Sequence, residues 1–124
     1  MSSVVLVVDD DPVSVHLIQI ILERNGYKVV VAHSGSSGLE LAAETRPDAV
    51  IIDDMMPVMT GGEMCRRMKS DPELQTIPVV LISAGMRVQD SSYVHKVGAN
   101  YALVKPILPK EMLRALDVVL GRLD

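Results

Sequence analysis

Residues 4–12 read Val-Val-Leu-Val-Val-Asp-Asp-Asp-Pro. Five uninterrupted apolar residues, four of them valine, are what a strand of a parallel sheet looks like when helices cover both of its faces. A strand with one wet face would alternate, and this one has no polar position until it stops at Asp9 and Asp10. Asp11-Pro12 then opens a helix, with the aspartate as N-cap and the proline in the first turn. Three more short apolar runs end in the same way: Ala49–Ile52 at Asp53, Val79–Ile82 at Ser83, and Ala102–Val104 at Lys105. Because parallel sheets bind ligands at the carboxyl ends of their strands, carboxylates, a hydroxyl and an ammonium are expected on one rim.

Outward from these runs, the segments between them carry helical periodicity. Gly26 closes the first helix ahead of a strand over Tyr27–Ala32, and Ser34 caps a second helix that reaches about Glu44. Pro47 ends the loop into a strand over Asp48–Ile52, and a third helix over Gly62–Ser70 stops before Asp71-Pro72. Pro78 precedes the fourth strand, and a fourth helix spans Gln89–Val97 up to Gly98. The last strand runs to Lys105-Pro106, after which Pro109 starts a helix whose Leu113, Leu116 and Leu120 recur at three- and four-residue steps. Strand then helix, repeated through the chain, implies an α/β doubly wound fold, since right-handed crossovers place helices on both faces of a parallel sheet. Five strands suit a flavodoxin-like order, which the pattern by itself does not fix.

The composition narrows the function. A chain of 124 residues is about one domain and can bury roughly two-thirds of its extended surface. Aromatic residues make up 2%, with no Phe or Trp, so Val, Ile, Leu, Met and Ala must fill the core and little remains for stacking on bases. A net charge of -4, with only Arg66, Arg67 and Lys69 clustered, argues against direct nucleic-acid binding. Cys65 is the single cysteine, expected as a packed thiol on a helix, and His16, His33 and His95 are expected at the surface without metal-ligand spacing. There is no basic leader, nor any run near the roughly 20 apolar residues of a membrane helix, so a cytoplasmic protein with no membrane partner is expected.

Clustered carboxylates repel one another, and a hard cation relieves them. Asp9, Asp10 and Asp53 are oxygen ligands suited to Mg²⁺ sharing its shell with a phosphate. With that cation, one carboxylate can act as nucleophile towards a phosphoryl group while a hydroxyl and an ammonium hold its oxygens. Asp53, alone at its strand end, is the candidate nucleophile. Each residue has an ordinary reading: Ser83 as a turn residue, Lys105 as a solvated charge, Asp10 or Asp11 as a helix cap. The conjunction of four strand ends is what points to phosphoryl chemistry.

These residues carry a resemblance. Residues 4–12, Pro47-Asp48-Ala-Val-Ile-Ile-Asp53 with Met55-Met56-Pro57 and Gly61, Leu-Ile-Ser83-Ala84, and Val104-Lys105-Pro106 resemble, in order and spacing, the receiver domain of two-component response regulators. The resemblance implies one receiver domain over residues 1–124, a flavodoxin-like (βα)5 fold, and a five-stranded parallel sheet in the order 2-1-3-4-5. It implies Asp53 as phospho-acceptor, and Mg²⁺ held by Asp9, Asp10, Asp53 and the backbone carbonyl of Met55. It further implies Ser83 as the switch hydroxyl, Lys105 as the lysine that pairs with the phosphoryl group, and a cis Lys105-Pro106 bond. A sensor histidine kinase or histidine phosphotransfer protein would donate the phosphoryl group from a phosphohistidine. Transfer and slow autodephosphorylation would then be self-directed chemistry rather than enzyme turnover, and the surface of helix 4, strand 5 and helix 5 would control an output partner or domain.

The chain departs from the family pattern at several points. Ala102 stands where a Tyr or Phe is usual, three residues before the lysine. Tyr101 is one residue earlier and should face the other way unless a bulge re-aims it. Thr60 replaces an acidic residue often found before the glycine. Met55 and Gly85 flank the path of an attacking water without offering a polar side chain, so slow hydrolysis of the phospho-form is expected. The first helix carries Val13, Val15, Leu17, Ile18, Ile20, Ile21 and Leu22 on more than one face; Val13 with Ile20 or Val15 could contact a partner or form a homodimer on phosphorylation, unless neighbouring helices cover them. Three other readings compete. Asp9-x-Asp11-x-Val13 fits a Mg²⁺-dependent phosphatase of the haloacid-dehalogenase type, but Asp53-Asp54 precedes Ser83 and Lys105, the reverse of that family's order. A receiver-like binding module would leave the rim unused, and a flavin carrier would lack aromatic rings to flank its cofactor.

Overall fold

The computed structural model describes residues 2–122, the side chains of residues 86 and 87 excepted, so residues 1, 123 and 124 of the expected domain lie outside the described residues. Strands β1 (Val4–Val8), β2 (Lys28–Ala32), β3 (Ala49–Asp53), β4 (Val79–Ser83) and β5 (Tyr101–Val104) form one parallel sheet in the order β2-β1-β3-β4-β5. Helices α1 (Pro12–Arg24), α2 (Gly35–Thr45), α3 (Gly61–Lys69), α4 (Ser91–Val97) and α5 (Pro109–Val119) connect and follow them, with a 3₁₀ turn over Met86–Gln89.

Alternation along each strand divides the interior into two cores. Val5, Val7, Ala49, Ile51, Val80, Ile82 and Leu103 meet Ile18 and Leu22 of α1 and Met112, Ala115 and Leu116 of α5. Leu6, Val8, Val50, Ile52, Val79 and Leu81 meet Ala42 of α2, Met64, Cys65 and Met68 of α3, and Val97 of α4. Both faces are therefore dry, which is why the strand sequences do not alternate. Cys65 is buried as expected, and desolvation pushes its thiol up to about 11. His16, His33 and His95 are exposed.

The order of strands creates the site. The order in which strands are added to the sheet reverses at β1, so β1 and β3 are neighbours with their crossovers on opposite faces, and a crevice opens beyond their carboxyl ends. Register does the rest: Val8 pairs with Ile52, Asp53 with Ile82, and Ser83 with Val104. Asp9, Asp53, Ser83 and Lys105 thus reach the same edge within two residues of one another.

Element boundaries differ from the sequence expectations for local reasons. The expected fourth helix from Gln89 is two pieces, because the Asp90 carboxylate caps a new helix by accepting from the Ser92 amide at 2.9 Å. Thr60 caps α3 through the Glu63 amide at 3.1 Å, which starts that helix at Gly61. Tyr27 lies outside β2: its amide turns back to the Leu22 carbonyl, and its hydroxyl accepts from Arg122 at 3.0 Å. On α1, Val15 is buried, whereas Val13 is 66% and Leu17 57% exposed, so Leu17 takes the outward place considered for Val15. The Lys105-Pro106 bond is cis.

Candidate functional site

Asp9 continues β1 past its last apolar residue and is fully buried, its Oδ1 accepting from the Asp11 amide at 3.0 Å. Asp53 ends β3, with Oδ1 accepting from the Met55 amide at 3.1 Å. Asp10 is exposed, yet carboxylate oxygens of Asp9, Asp10 and Asp53 all lie within 4.8 Å of one another. Into this cluster β5 delivers Lys105, whose Nζ donates to Asp53 Oδ2 at 3.1 Å and Asp9 Oδ2 at 3.3 Å.

The electrostatics follow from three carboxylates and one ammonium in a partly dry crevice. Burial raises Asp9 above its ordinary value, with the Asp53 charge adding to it, against the opposing pull of the Asp11 amide and Lys105. Burial alone would lower the Lys105 ammonium, but the hydrogen bonds and charges of Asp53 and Asp9 outweigh it and hold Lys105 above its ordinary value. The group is therefore short of positive charge.

Ser83 is fully buried at the end of β4, where its Oγ accepts from the Gly85 amide at 2.9 Å. The Met55 thioether lies across this turn: a Cβ built on Gly85 would stand 2.7 Å from Met55 Sδ and 3.3 Å from Ser83 Oγ. Gly61 packs directly under the end of β3, since a Cβ there would collide with the Asp53 carbonyl oxygen and stand 2.8 Å from Asp54 Cα. The intervening loop holds Val58 at φ 70, a left-handed conformation costly for a β-branched residue.

The structure thus brings Asp9, Asp10, Asp53 and Lys105 together with Ser83 at the adjoining strand end. It separates Tyr101 from Ala102. Pairing of β4 with β5 runs without interruption from Val80–Tyr101 to Ser83–Val104, so no bulge re-aims the tyrosine. Tyr101 packs on the α1/α5 core, and Ala102 on the core under α3 and α4. Asp54, weighed in the sequence only as part of a phosphatase-like acidic pair, proves to be buried, with its Oδ1 accepting from the Gly62 amide and the Tyr93 hydroxyl, each at 2.8 Å. The available signal was a carboxylate directly after a buried strand, which must find donors.

A parallel-sheet rim that gathers a carboxylate cluster, a lysine and a buried hydroxyl defines a phospho-accepting switch domain. The chain belongs to the family described as the response regulator receiver domain, whose sequence model matches residues 5–117. PilH of Pseudomonas aeruginosa is 31% identical over 117 residues, covering 94% of this chain and 97% of that protein. The chemotaxis protein CheY4 of Vibrio cholerae superposes with a TM-score of 0.89 at 30% identity, over 96% of this chain and 99% of that one. The receiver domain of a sensor histidine kinase of P. aeruginosa, solved with a magnesium ion coordinated in its active-site cleft, gives a TM-score of 0.88 at 26% identity, over 98% and 99% of the two chains. The chain spans 50% and 52% of the length of two other curated relatives. Among the described residues, no helix is long and apolar enough to cross a membrane.

Proposed function

We propose that Asp53 accepts a phosphoryl group from a phosphohistidine of a sensor histidine kinase or histidine phosphotransfer protein. One Asp53 carboxylate oxygen attacks phosphorus, the phosphorus–nitrogen bond breaks, the imidazole leaves, and an acyl phosphate remains. The observation that carries this reading is the convergence of three carboxylates within 4.8 Å on an ammonium that already bonds two of them. The hard-oxygen donor set, short of positive charge, fits Mg²⁺ held by Asp9, Asp10, Asp53 and the Met55 carbonyl. When bound, that cation neutralises the cluster and the incoming phosphoryl oxygens. Asp9 and Lys105 position Asp53, and Lys105 then follows the charge onto a phosphoryl oxygen. The Ser83 hydroxyl turns towards the same group.

Residues 1–124 are read as one receiver domain acting in the cytoplasm without contacting nucleic acid. Its only chemistry is its own phosphorylation and slow autodephosphorylation, and its output runs through the surface of α4, β5 and α5 to a partner or attached domain. Exposed Val13 and Leu17 on α1 are offered to a protein partner, including a second copy on phosphorylation. The test is acetyl phosphate or beryllofluoride with Mg²⁺ on wild type and Asp53→Asn, followed by mass, amide chemical shifts and light scattering. Uptake by wild type alone is expected. Equal uptake by both would mean another nucleophile, and none by either would leave a phosphorylation-independent binding module.

A further inference from the structure

Asp54 follows the proposed phospho-acceptor in the chain, is 1% exposed, and has no part in the chemistry proposed for Asp53. Its main chain is tied to β4 and α3: the amide donates to the Ile82 carbonyl at 2.8 Å, and the carbonyl accepts from the Gly61 amide at 3.0 Å. Its side chain is tied to α3 and α4 through the Gly62 amide and the Tyr93 hydroxyl. Gly62 makes the room, since a Cβ there would collide with the Tyr93 hydroxyl. Meanwhile β5 sends no ring towards α4. Ala102 instead lines a depression of about 350 Å³ together with Val88, Val94, His95 and Ala99.

We propose that the Tyr93–Asp54 hydrogen bond carries the state of Asp53 to α4, making Tyr93 a positioning residue for the output face in place of an aromatic on β5. The inference rests on reading Asp53 as the phospho-acceptor. A buried carboxylate is costly to leave without its donors, so a shift of Asp54 that accompanies a change at Asp53 draws Tyr93 along rather than releasing it. Because α4 has seven residues, one such anchor weighs heavily on its position. Coupling of this kind is reciprocal, so a partner that moves α4 also alters how Asp53 binds its ligand.

The test compares wild type, Tyr93→Phe and Gly62→Ala, the last chosen because it evicts the hydroxyl while keeping both Asp54 and the ring. Each is titrated with beryllofluoride in Mg²⁺ while amide shifts are followed at Ser83–Gly85 and at Ser91–Val97. Both variants should bind the probe within about threefold of wild type and keep the Ser83–Gly85 response, while the Ser91–Val97 response falls below about half. A full α4 response in both variants overturns the inference, even if amide exchange in α4 becomes faster, because the bond would then be merely structural. Failure of the wild-type chain to bind beryllofluoride refutes the phospho-acceptor reading and takes this inference with it.

Discussion

Lys105→Met removes the one cation that contacts both Asp9 and Asp53 among the described residues, at 3.3 and 3.1 Å. At an effective dielectric of about 20, each contact is worth about 5 kcal/mol of gross attraction, and two carboxylates at the cluster's limiting separation repel by about 3.5 kcal/mol. Most of that attraction only offsets the desolvation of the ammonium. The net cost of deleting one partner of a buried pair is about 3–5 kcal/mol, and the lower end applies here because Lys105 keeps partial access to solvent. We therefore expect Lys105→Met to lose about 3 kcal/mol in chelator near neutral pH, or about 10 °C in Tm for a domain of this size. Mg²⁺ should return about 2.7 kcal/mol at a hundredfold excess over its Kd. Since the cation and the ammonium compete for the same carboxylates, Mg²⁺ should stabilise the variant more than the wild type. Urea denaturation of both proteins, with chelator and across a Mg²⁺ series, measures each term. A loss under about 0.5 kcal/mol in chelator, or a smaller Mg²⁺ increment in the variant, would refute the charge balance drawn for this rim.

Asp9→Asn should raise apo stability by about 1 kcal/mol at neutral pH while weakening Mg²⁺ binding, because burial makes the ionised Asp9 costly. The folded-state value of Asp9 lies above 3.8, so its ionised form costs stability at higher pH, and the cost is relieved as pH falls through that raised value towards 3.8. The advantage of Asp9→Asn should accordingly shrink across that window in thermal melts, and an advantage that grows on acidification would contradict the assignment. Gly61→Ala forces a Cβ onto backbone of Asp53 and Asp54 that cannot swing aside, and a loss of about 2 kcal/mol in urea denaturation is expected. Met55→Asn replaces a 60% exposed thioether over Gly85 with a group that can orient water; the phospho-form half-life in Mg²⁺ should shorten by about tenfold, from a wild-type value well beyond seconds. An unchanged half-life would show that the attacking water does not pass Met55.

The rim was legible because its residues interrupt apolar runs: Asp9, Asp53, Ser83 and Lys105 stand where a buried strand meets a polar edge, and parallel register needs only adjacent strands to gather them. The sheet order came from the family resemblance rather than from periodicity. What stayed hidden depends on contacts distant in sequence or on near ties in local preference. Gln89 and the residues after it read as one helix, since nothing in the apolar spacing shows that the Asp90 carboxylate will take the Ser92 amide. On α1, apolar residues at most positions leave the buried stripe ambiguous, so Val15 and Leu17 could trade places until the sheet fixed the rotation. The Tyr93–Asp54 bond spans 39 residues, and neither partner belongs to a run that announces it.

On the proposed phosphorylation of Asp53, the hydroxyl and the lysine would face different tasks. Ser83 Oγ accepts from the Gly85 amide, and a hydroxyl can donate while it accepts, so its proton can reach a phosphoryl oxygen without surrendering that bond. Lys105 is different, because both of its carboxylate contacts are to oxygens, Asp53 Oδ2 and Asp9 Oδ2, whose charge the new group rearranges. Formation of the proposed acyl phosphate would remove the charge of the Asp53 carboxylate and place about two negative charges a bond further out, so the ammonium would gain by moving outward while Asp9 would remain available to Mg²⁺. On this assignment the first displacement is that of Lys105 and of the turn over Ser83–Gly85, at the carboxyl ends of β4 and β5. Asp54, whose amide is bonded to the Ile82 carbonyl beside that turn, is the next atom group to feel it, and its side chain already holds α4. On the coupling proposed above, a receiver with alanine at position 102 keeps a route from its acidic rim to its fourth helix that passes along the Asp53–Asp54 and Ile82–Ser83 backbone and through the Asp54–Ile82 and Tyr93–Asp54 hydrogen bonds.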